Sequence, residues 1–225
     1  MAASLVLDHL VFATRDLVRA SAWLADVTGL MPEPGGSHEG LGTRNALCRF
    51  ADGSYLELIG PDPAQAEPPQ PRPFEIDTLV SPGVVGWCAR TTDLEAFVGS
   101  VGGSEPAFTP PVAMTRDAPG GSLRWMLALP TGDNPGGVVP FVIDWGATPH
   151  PATTTAAALE LVSFDIVHPA PSATAAMLDG LGVAAQVAPG PQPGIRAAVR
   201  GPGGEVVLPH GTTARSPELA TGPAA

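Results

Sequence analysis

Apolar and polar positions alternate in short bursts along the chain, each closed by a turn signal. Leu5 to Ala13 is apolar and partly β-branched, which predicts a buried strand with one histidine in it, His9. Thr14 or Asp16 can cap a helix on which Leu17, Ala20, Trp23 and Leu24 share a face, and Gly29 suits its left-handed end. Met31 to Gly36 reads as a strand broken by Pro and Gly. His38 to Asn45 reads as a polar, flexible stretch. Ala46 to Phe50 is a strand, Asp52-Gly53 a tight hairpin turn and Tyr55 to Ile59 the returning strand. The order is β-α-β-β-β.

The same order follows again. Val84 to Arg90 predicts a strand, Thr92-Asp93-Leu94 a helix start, and Gly102-Gly103 its stop. Ala107 to Met114 is interrupted by Pro and fits only a sheet edge, and Ser122 to Leu129 and Val138 to Asp144 are two further strands. Setting Asp16-Leu17 over Asp93-Leu94 gives a repeat of about 77 residues, and a second step reaches Leu161, the start of a third run. There a strand to His168, a helix to Leu181 that Ser172 can cap and strands at Val183 to Val187, Ile195 to Arg200 and Glu205 to Leu208 give a degenerate third copy. The expected fold class is α+β, with repeated βαβββ modules. The expected organisation is one domain over 1–146 made of paired modules at 5–60 and 84–146, joined by a Pro-rich linker, 61–83, that carries the apolar residues Phe74, Ile76 and Leu79. A second linker, 147–158, leads to the third module at 159–209 and a frayed tail from His210 to the end.

Composition narrows the partners. The 225 residues carry 22 acidic against 11 basic side chains, a net charge of -11, which repels phosphate backbones and anionic lipid. Nucleic acid and membrane are therefore not expected partners. The 27 Gly and 27 Pro cluster between apolar runs, so they mark turns of a folded chain. Two cysteines, Cys48 and Cys88, both inside predicted strands, do not suggest a disulfide scaffold. With no signal-like N-terminus and no membrane-length apolar run, a cytoplasmic location is expected. No Gly-x-Ser-x-Gly elbow, phosphate loop, Cys-x-x-Cys or His-Glu-x-x-His occurs.

His9 and Glu57 are the residues that call for a reason. Each sits in an otherwise apolar strand, and burying either unpaired costs several kcal/mol. A shared divalent metal ion answers for both; a core histidine bonded to a backbone carbonyl or to Asp8 answers for His9 alone. Glu57, between Leu56 and Leu58, points to the face opposite both, which is either the inside of the expected cup or a solvent-facing side of the strand.

The string Leu7-Asp-His-Leu-Val-Phe-Ala-Thr-Arg-Asp-Leu17 and the strand Tyr55-Leu-Glu-Leu-Ile-Gly60 resemble the first and fourth strands of the vicinal oxygen chelate superfamily, which includes glyoxalase I, bleomycin-resistance proteins and type I extradiol dioxygenases. Gly35-Gly-Ser-His-Glu-Gly-Leu-Gly-Thr-Arg-Asn-Ala-Leu47, Pro140-Phe-Val-Ile-Asp-Trp-Gly146 and His150-Pro151 resemble its glyoxalase-like domain branch. The resemblance implies paired modules whose curved mixed sheets enclose a central cavity, with a divalent ion (Fe, Mn, Zn or Ni) held from first and fourth strands, here by His9 and Glu57. In the second module Gly86 falls opposite His9 with Trp87 next to it, so Asp144 is the remaining candidate there, with His38 as an alternative third ligand; Asp144 could equally bond Trp145 or a backbone amide. His38 or Glu57 would move a proton. Arg44 and Asn45 would clamp a substrate carboxylate, order the loop carrying His38 or simply stabilise a turn, and Trp87 and Trp125 would line an apolar pocket or, as strand tryptophans more often do, pack in the core. Arg116 and Arg124 read as surface charge or as partners of an anionic substrate. His150, His168 and His210 are given no chemistry.

Two functions follow from the resemblance, beside the plain alternative of a decayed site in a structural or regulatory partner. One is a metal-dependent enzyme of isomerase, lyase or dioxygenase type that chelates two adjacent oxygens of a small molecule. The other is a metal-free protein that sequesters a small molecule or antibiotic. Either could be a monomer or a homodimer.

Overall fold

The computed structural model describes residues 5–103, 105–118 and 121–214. The first module is β1 (Val6–Ala13), α1 (Leu17–Thr28), β2 (Glu33–His38), β3 (Thr43–Arg49) and β4 (Tyr55–Pro61). After β5 (Leu79–Ser81) the second is β6 (Gly83–Arg90), α2 (Leu94–Ser100), β7 (Val112–Ala118), β8 (Gly121–Ala128) and β9 (Phe141–Asp144). The helix starts are as the sequence predicts: the Asp16 side chain accepts from the Arg19 amide, and Asp93 from the Ala96 amide. Gly29 closes α1 at φ 73°, and a Cβ there would lie 2.7 Å from the Gly203 nitrogen, so this glycine serves both the turn and a close backbone approach.

The two modules build one eight-stranded sheet in the order β2-β3-β4-β1-β6-β9-β8-β7. In each, the first strand lies parallel to the fourth, β1 to β4 and β6 to β9. β1 and β6 run antiparallel at the centre, with Leu10 opposite Trp87 and Val11 opposite Gly86. The edges β2 and β7 approach each other, so the sheet curls into a nearly closed cup. Its outer face buries Leu10, Phe12, Leu56, Leu58 and Trp87 against α1, α2 and the chain beyond residue 159. At about 1.5–3 kcal/mol per large apolar side chain, this face is the main stabilising layer.

The segment expected as a linker is partly structural. Pro73–Thr78 forms a short 3₁₀ turn whose Ile76 is fully buried with Val11, Ala13, Ile59 and Leu79 on the inner face of the sheet. Phe74 and Glu75 take positive φ, 58° and 52°, a conformation that costs about 1–2 kcal/mol per residue and aims Phe74 at Phe141.

The third run keeps the element order but not the sheet order. β10 (Glu160–His168), α3 (Pro171–Gly180), β11 (Val187–Pro189), β12 (Gly194–Gly201) and β13 (Gly204–Val207) make a separate sheet, β11-β10-β12-β13, in which the first strand pairs with the second in parallel. A three-residue β11 followed by Gly190, Pro191 and Pro193 has few amides left to extend a ladder. Ser172 lies inside α3, which instead starts with Pro171 in its first turn. Nor is His210 the start of a frayed tail: His210 bridges Val84, and β14 (Thr212–Thr213) pairs with β5. Residues from 215 onward lie outside the described residues. Among the described residues no helix is long and apolar enough to cross a membrane.

Candidate functional site

A bulge places the first functional pair. Leu7 lies opposite Ala89 and His9 opposite Cys88, so Asp8 is an extra residue in β1. A bulge suspends the strict in–out alternation of a strand, which lets adjacent side chains meet. Asp8 Oδ1 and His9 Nδ1 are 2.6 Å apart and both residues are buried. The other Asp8 oxygen accepts from Trp145 Nε1 at 3.1 Å and from His150 Nε2 at 2.9 Å. The Ala152 amide donates to His150 Nδ1, which fixes that ring's acceptor and leaves Nε2 as its donor toward Asp8. Burial raises the Asp8 pKa, but the hydrogen bonds from His150 and His9 and their charges outweigh it and hold the carboxyl well below the usual range. An ionised carboxylate only accepts, so His9 carries its proton on Nδ1 and turns Nε2 to the inner face.

There Nε2 of His9 is 3.7 Å from Glu57 Oε2. On the other side His38 Nε2 is 3.9 Å from Glu57 Oε1, while His38 Nδ1 is engaged with Thr43 Oγ1 at 3.0 Å. Burial lowers the His38 pKa, with Glu57 acting against it, so this imidazole stays neutral at neutral pH. Asn45 Nδ2 donates to Glu57 Oε1 at 2.6 Å, and Asn45 Oδ1 accepts from the Gly36 amide at 2.9 Å and from Arg116 Nη1 at 3.4 Å. A Cβ on Gly35 would lie 2.1 Å from Asn45 Oδ1, so glycine there leaves the amide its place.

These groups form the polar end of a cavity of about 310 Å³. The rest of its wall is apolar: Tyr55, Phe74, Met114, Trp125, Leu127, Phe141 and Trp145 among others. Tyr55 stacks on the His9 ring at 4.6 Å, and burial, with Asp8 and Glu57 nearby, raises its pKa well above the usual value, so its hydroxyl stays protonated. A larger groove of about 690 Å³ lies outside the cup between α1, β5 and Pro209, with Arg15, Asp16 and Arg19 at its rim and no imidazole in its lining.

The structure brings His9, His38, Asn45, Glu57 and Trp125 together at one cavity. Three expected site residues are elsewhere. Asp144 is turned away from the cavity because its strand neighbours Phe141 and Ile143 face in, and its carboxylate accepts from the Gly146 amide at 2.8 Å, closing a turn. Arg44 alternates with Asn45 and leaves the cavity wall; its Nε is buried without a hydrogen-bond partner among the described residues. Trp87 packs on the outer face, 5.1 Å from the Phe164 ring, and donates Nε1 to the Val138 carbonyl. Sequence reasoning gave no site role to His150, Tyr55, Phe141 or Trp145; the strings that carry the family resemblance contain all four, which was the available signal.

The fit to a divalent ion is uneven. Two Nε2 atoms face one carboxylate at spacings suited to donors that share an ion, and each imidazole has its Nδ1 engaged, as metal-ligating histidines do. All three come from the first module. In the second, the positions matching His9 and Glu57 are Gly86 and Phe141: Phe141 sits opposite Cys88 as Glu57 sits opposite Val11. Asp8, His9 and Cys88 also bring potential ligand atoms within 4.8 Å of one another, but Asp8 is spent on His9, His150 and Trp145, and burial pushes the Cys88 thiol well above its usual pKa. Both cysteines are free and buried.

Among solved structures, a hypothetical protein from Staphylococcus aureus is similar over 90% of this chain and 98% of its own, with a TM-score of 0.67 and 17% identity, a likeness of fold. Methylmalonyl-CoA epimerases from Mycobacterium tuberculosis (22% identity, TM-score 0.46, 68% of this chain and 97% of that one) and Streptomyces coelicolor in complex with 2-nitronate-propionyl-CoA (19%, 0.48, 67% and 100%) are more distant. No curated protein matches the sequence. The family model for the glyoxalase-like domain matches residues 7–182, through both modules of the cup and into the third run, and the chain belongs to that family.

Proposed function

We propose that the chain is a small-molecule enzyme of the vicinal oxygen chelate type, with a divalent ion held at His9 and Glu57. The observation that carries this is the convergence of the His9 and His38 Nε2 atoms on one Glu57 carboxylate at 3.7 and 3.9 Å, at the polar end of an apolar cavity. Two imidazoles and a carboxylate with open positions suit Fe, Mn, Zn or Ni. A bound ion of this kind supplies Lewis-acid stabilisation of negative charge on a chelated substrate oxygen.

The chain's own residues do the rest. Asp8 fixes the His9 tautomer and aims Nε2 inward. Asn45 holds Glu57 Oε1 and so fixes the plane of the carboxylate. Trp125, Phe141 and Phe74 exclude water, which strengthens every electrostatic interaction at the polar end. His38, neutral because buried, either completes the ligand set or accepts a proton from the substrate. Isomerisation, lyase chemistry and ring-opening oxygenation share this arrangement.

Gly86 and Phe141 favour a second reading, a metal-free cavity that sequesters an apolar ligand. Metal content of protein purified without chelator separates the two. About one divalent ion per chain, lost in both His9→Ala and Glu57→Gln, is the expected result. His38→Ala then distinguishes its two roles, since loss of metal marks a ligand and retained metal with lost turnover marks a proton acceptor. A wild-type protein that neither carries nor takes up Fe, Mn, Zn or Ni overturns the enzyme reading in favour of the binder.

A further inference from the structure

Arg116 is a buried cation facing the cavity with little to hold it. It is 4 % exposed, and its guanidinium makes one hydrogen bond among the described residues, the 3.4 Å contact from Nη1 to Asn45 Oδ1. No carboxylate among the described residues forms an ion pair with it; Glu57, the acid of the cavity, is approached instead by His9 and His38. A guanidinium does not lose its proton in a protein and offers five donors in a planar fork. The donors that Asn45 does not take up open on the cavity that Arg116 lines, where a guest that enters can accept from them.

The surroundings fit such a guest. β7 and β8 set Arg116 beside the apolar wall of Met114, Trp125 and Leu127. Across the seam between the sheet edges, Gly35 has no side chain where a Cβ would come within 3.0 Å of Arg116 Nη1. Asn45 is already committed, its oxygen to the Gly36 amide and Arg116 and its nitrogen to Glu57. We propose that Arg116 anchors a carboxylate of the substrate, so that the cavity takes a small organic acid with its apolar body against Trp125. This deepens the small-molecule reading of the cavity and depends on the cavity, not on the metal.

Benzoate and its uncharged counterpart benzamide are suitable probes, read by calorimetry and by the fluorescence of the tryptophans lining the cavity on the full chain as purified. Wild type is expected to bind benzoate at least about tenfold more tightly than benzamide. Arg116→Met is expected to weaken benzoate at least about tenfold and to leave benzamide within about twofold. Arg116→Lys, which keeps the charge and loses the fork, should fall between them for benzoate only, and it carries the test together with the wild-type preference if Arg116→Met does not fold. Absence of benzoate binding to wild type, no preference over benzamide, or benzoate binding that survives removal of the guanidinium each overturns the proposal. Metal content of the same samples keeps the two readings apart. Arg116-dependent benzoate binding in a metal-free protein upholds this inference and sinks the enzyme reading; a metal-loaded protein indifferent to Arg116 does the reverse.

Discussion

The two modules of the cup are alike on one face and unlike on the other. On the outer face, Leu10 and Trp87 occupy matching positions across the central strand pair, and both are buried in the same core. On the inner face, His9 is matched by Gly86 and Glu57 by Phe141. Packing holds the pseudo-symmetry where both halves must bury apolar surface. Chemistry breaks it where only one half supplies donors and the other supplies a wall of Trp125, Phe141 and Trp145 with Arg116 set into it. One-sided loss of donors leaves a cavity with a polar end and an apolar end, the form that orients a small amphipathic guest.

The comparison is broken most forcefully from the outer face. Trp87→Ala removes a fully buried indole and its bond to the Val138 carbonyl, and should lower unfolding free energy by about 3–5 kcal/mol in chemical denaturation. Metal content and ligand affinity of the folded fraction should stay at wild-type values. A variant that keeps its stability and loses metal would mean that Trp87 serves the cavity after all.

Much of this division was legible in the sequence, and the reasons for the rest are physical. Strands and helices showed because apolar periodicity and the caps Asp16 and Asp93 are local. Glu57 showed because a lone carboxylate between leucines has few explanations. His38 read as a loop because Glu33–His38, with Pro34, Gly35, Gly36 and Ser37, has no apolar alternation to announce a strand, and Asn45 because β3 opens on the three polar residues Thr43, Arg44 and Asn45. Trp87 and Asp144 stay open in the sequence between the site and a core or turn role, because facing depends on sheet register, which propensity does not contain; the structure takes the core for Trp87 and the turn for Asp144. Asp8 was weighed only as a partner for His9; its links to Trp145 and His150 span more than 130 residues, and no local pattern reports them.

A smaller effect sharpens the comparison by repairing the broken half. Phe141→Glu places a second carboxylate at the position that matches Glu57. In chelator the variant should be less stable than wild type, since an unpaired buried carboxylate is costly. With Zn or Mn it should regain stability by mass action and bind the ion at least about tenfold more tightly, by titration against a competing chelator. Unchanged affinity would show that the matched position does not face the ion.

The smallest effect concerns how each module secures its edge strand. β7 is held partly by Met114, packed with Trp125 and Trp145. β2 has almost no apolar side chain to bury, and Ser37 instead donates its hydroxyl to Asp62, which also accepts from Gln65 and from the Ala64 amide. Burial raises the Asp62 pKa, but those hydrogen bonds outweigh it and the folded value lies below the ordinary one. A depressed carboxyl pKa gives stability that is fully present above the unfolded value, about 3.9, and that is lost as pH falls through the folded value. Ser37→Ala should therefore cost about 1–2 kcal/mol at pH 7, and the gap from wild type should narrow as denaturation is repeated below about pH 4. A gap independent of pH would assign the loss to packing of β2 and remove the polar tie as the reason its edge stays in register beside His38.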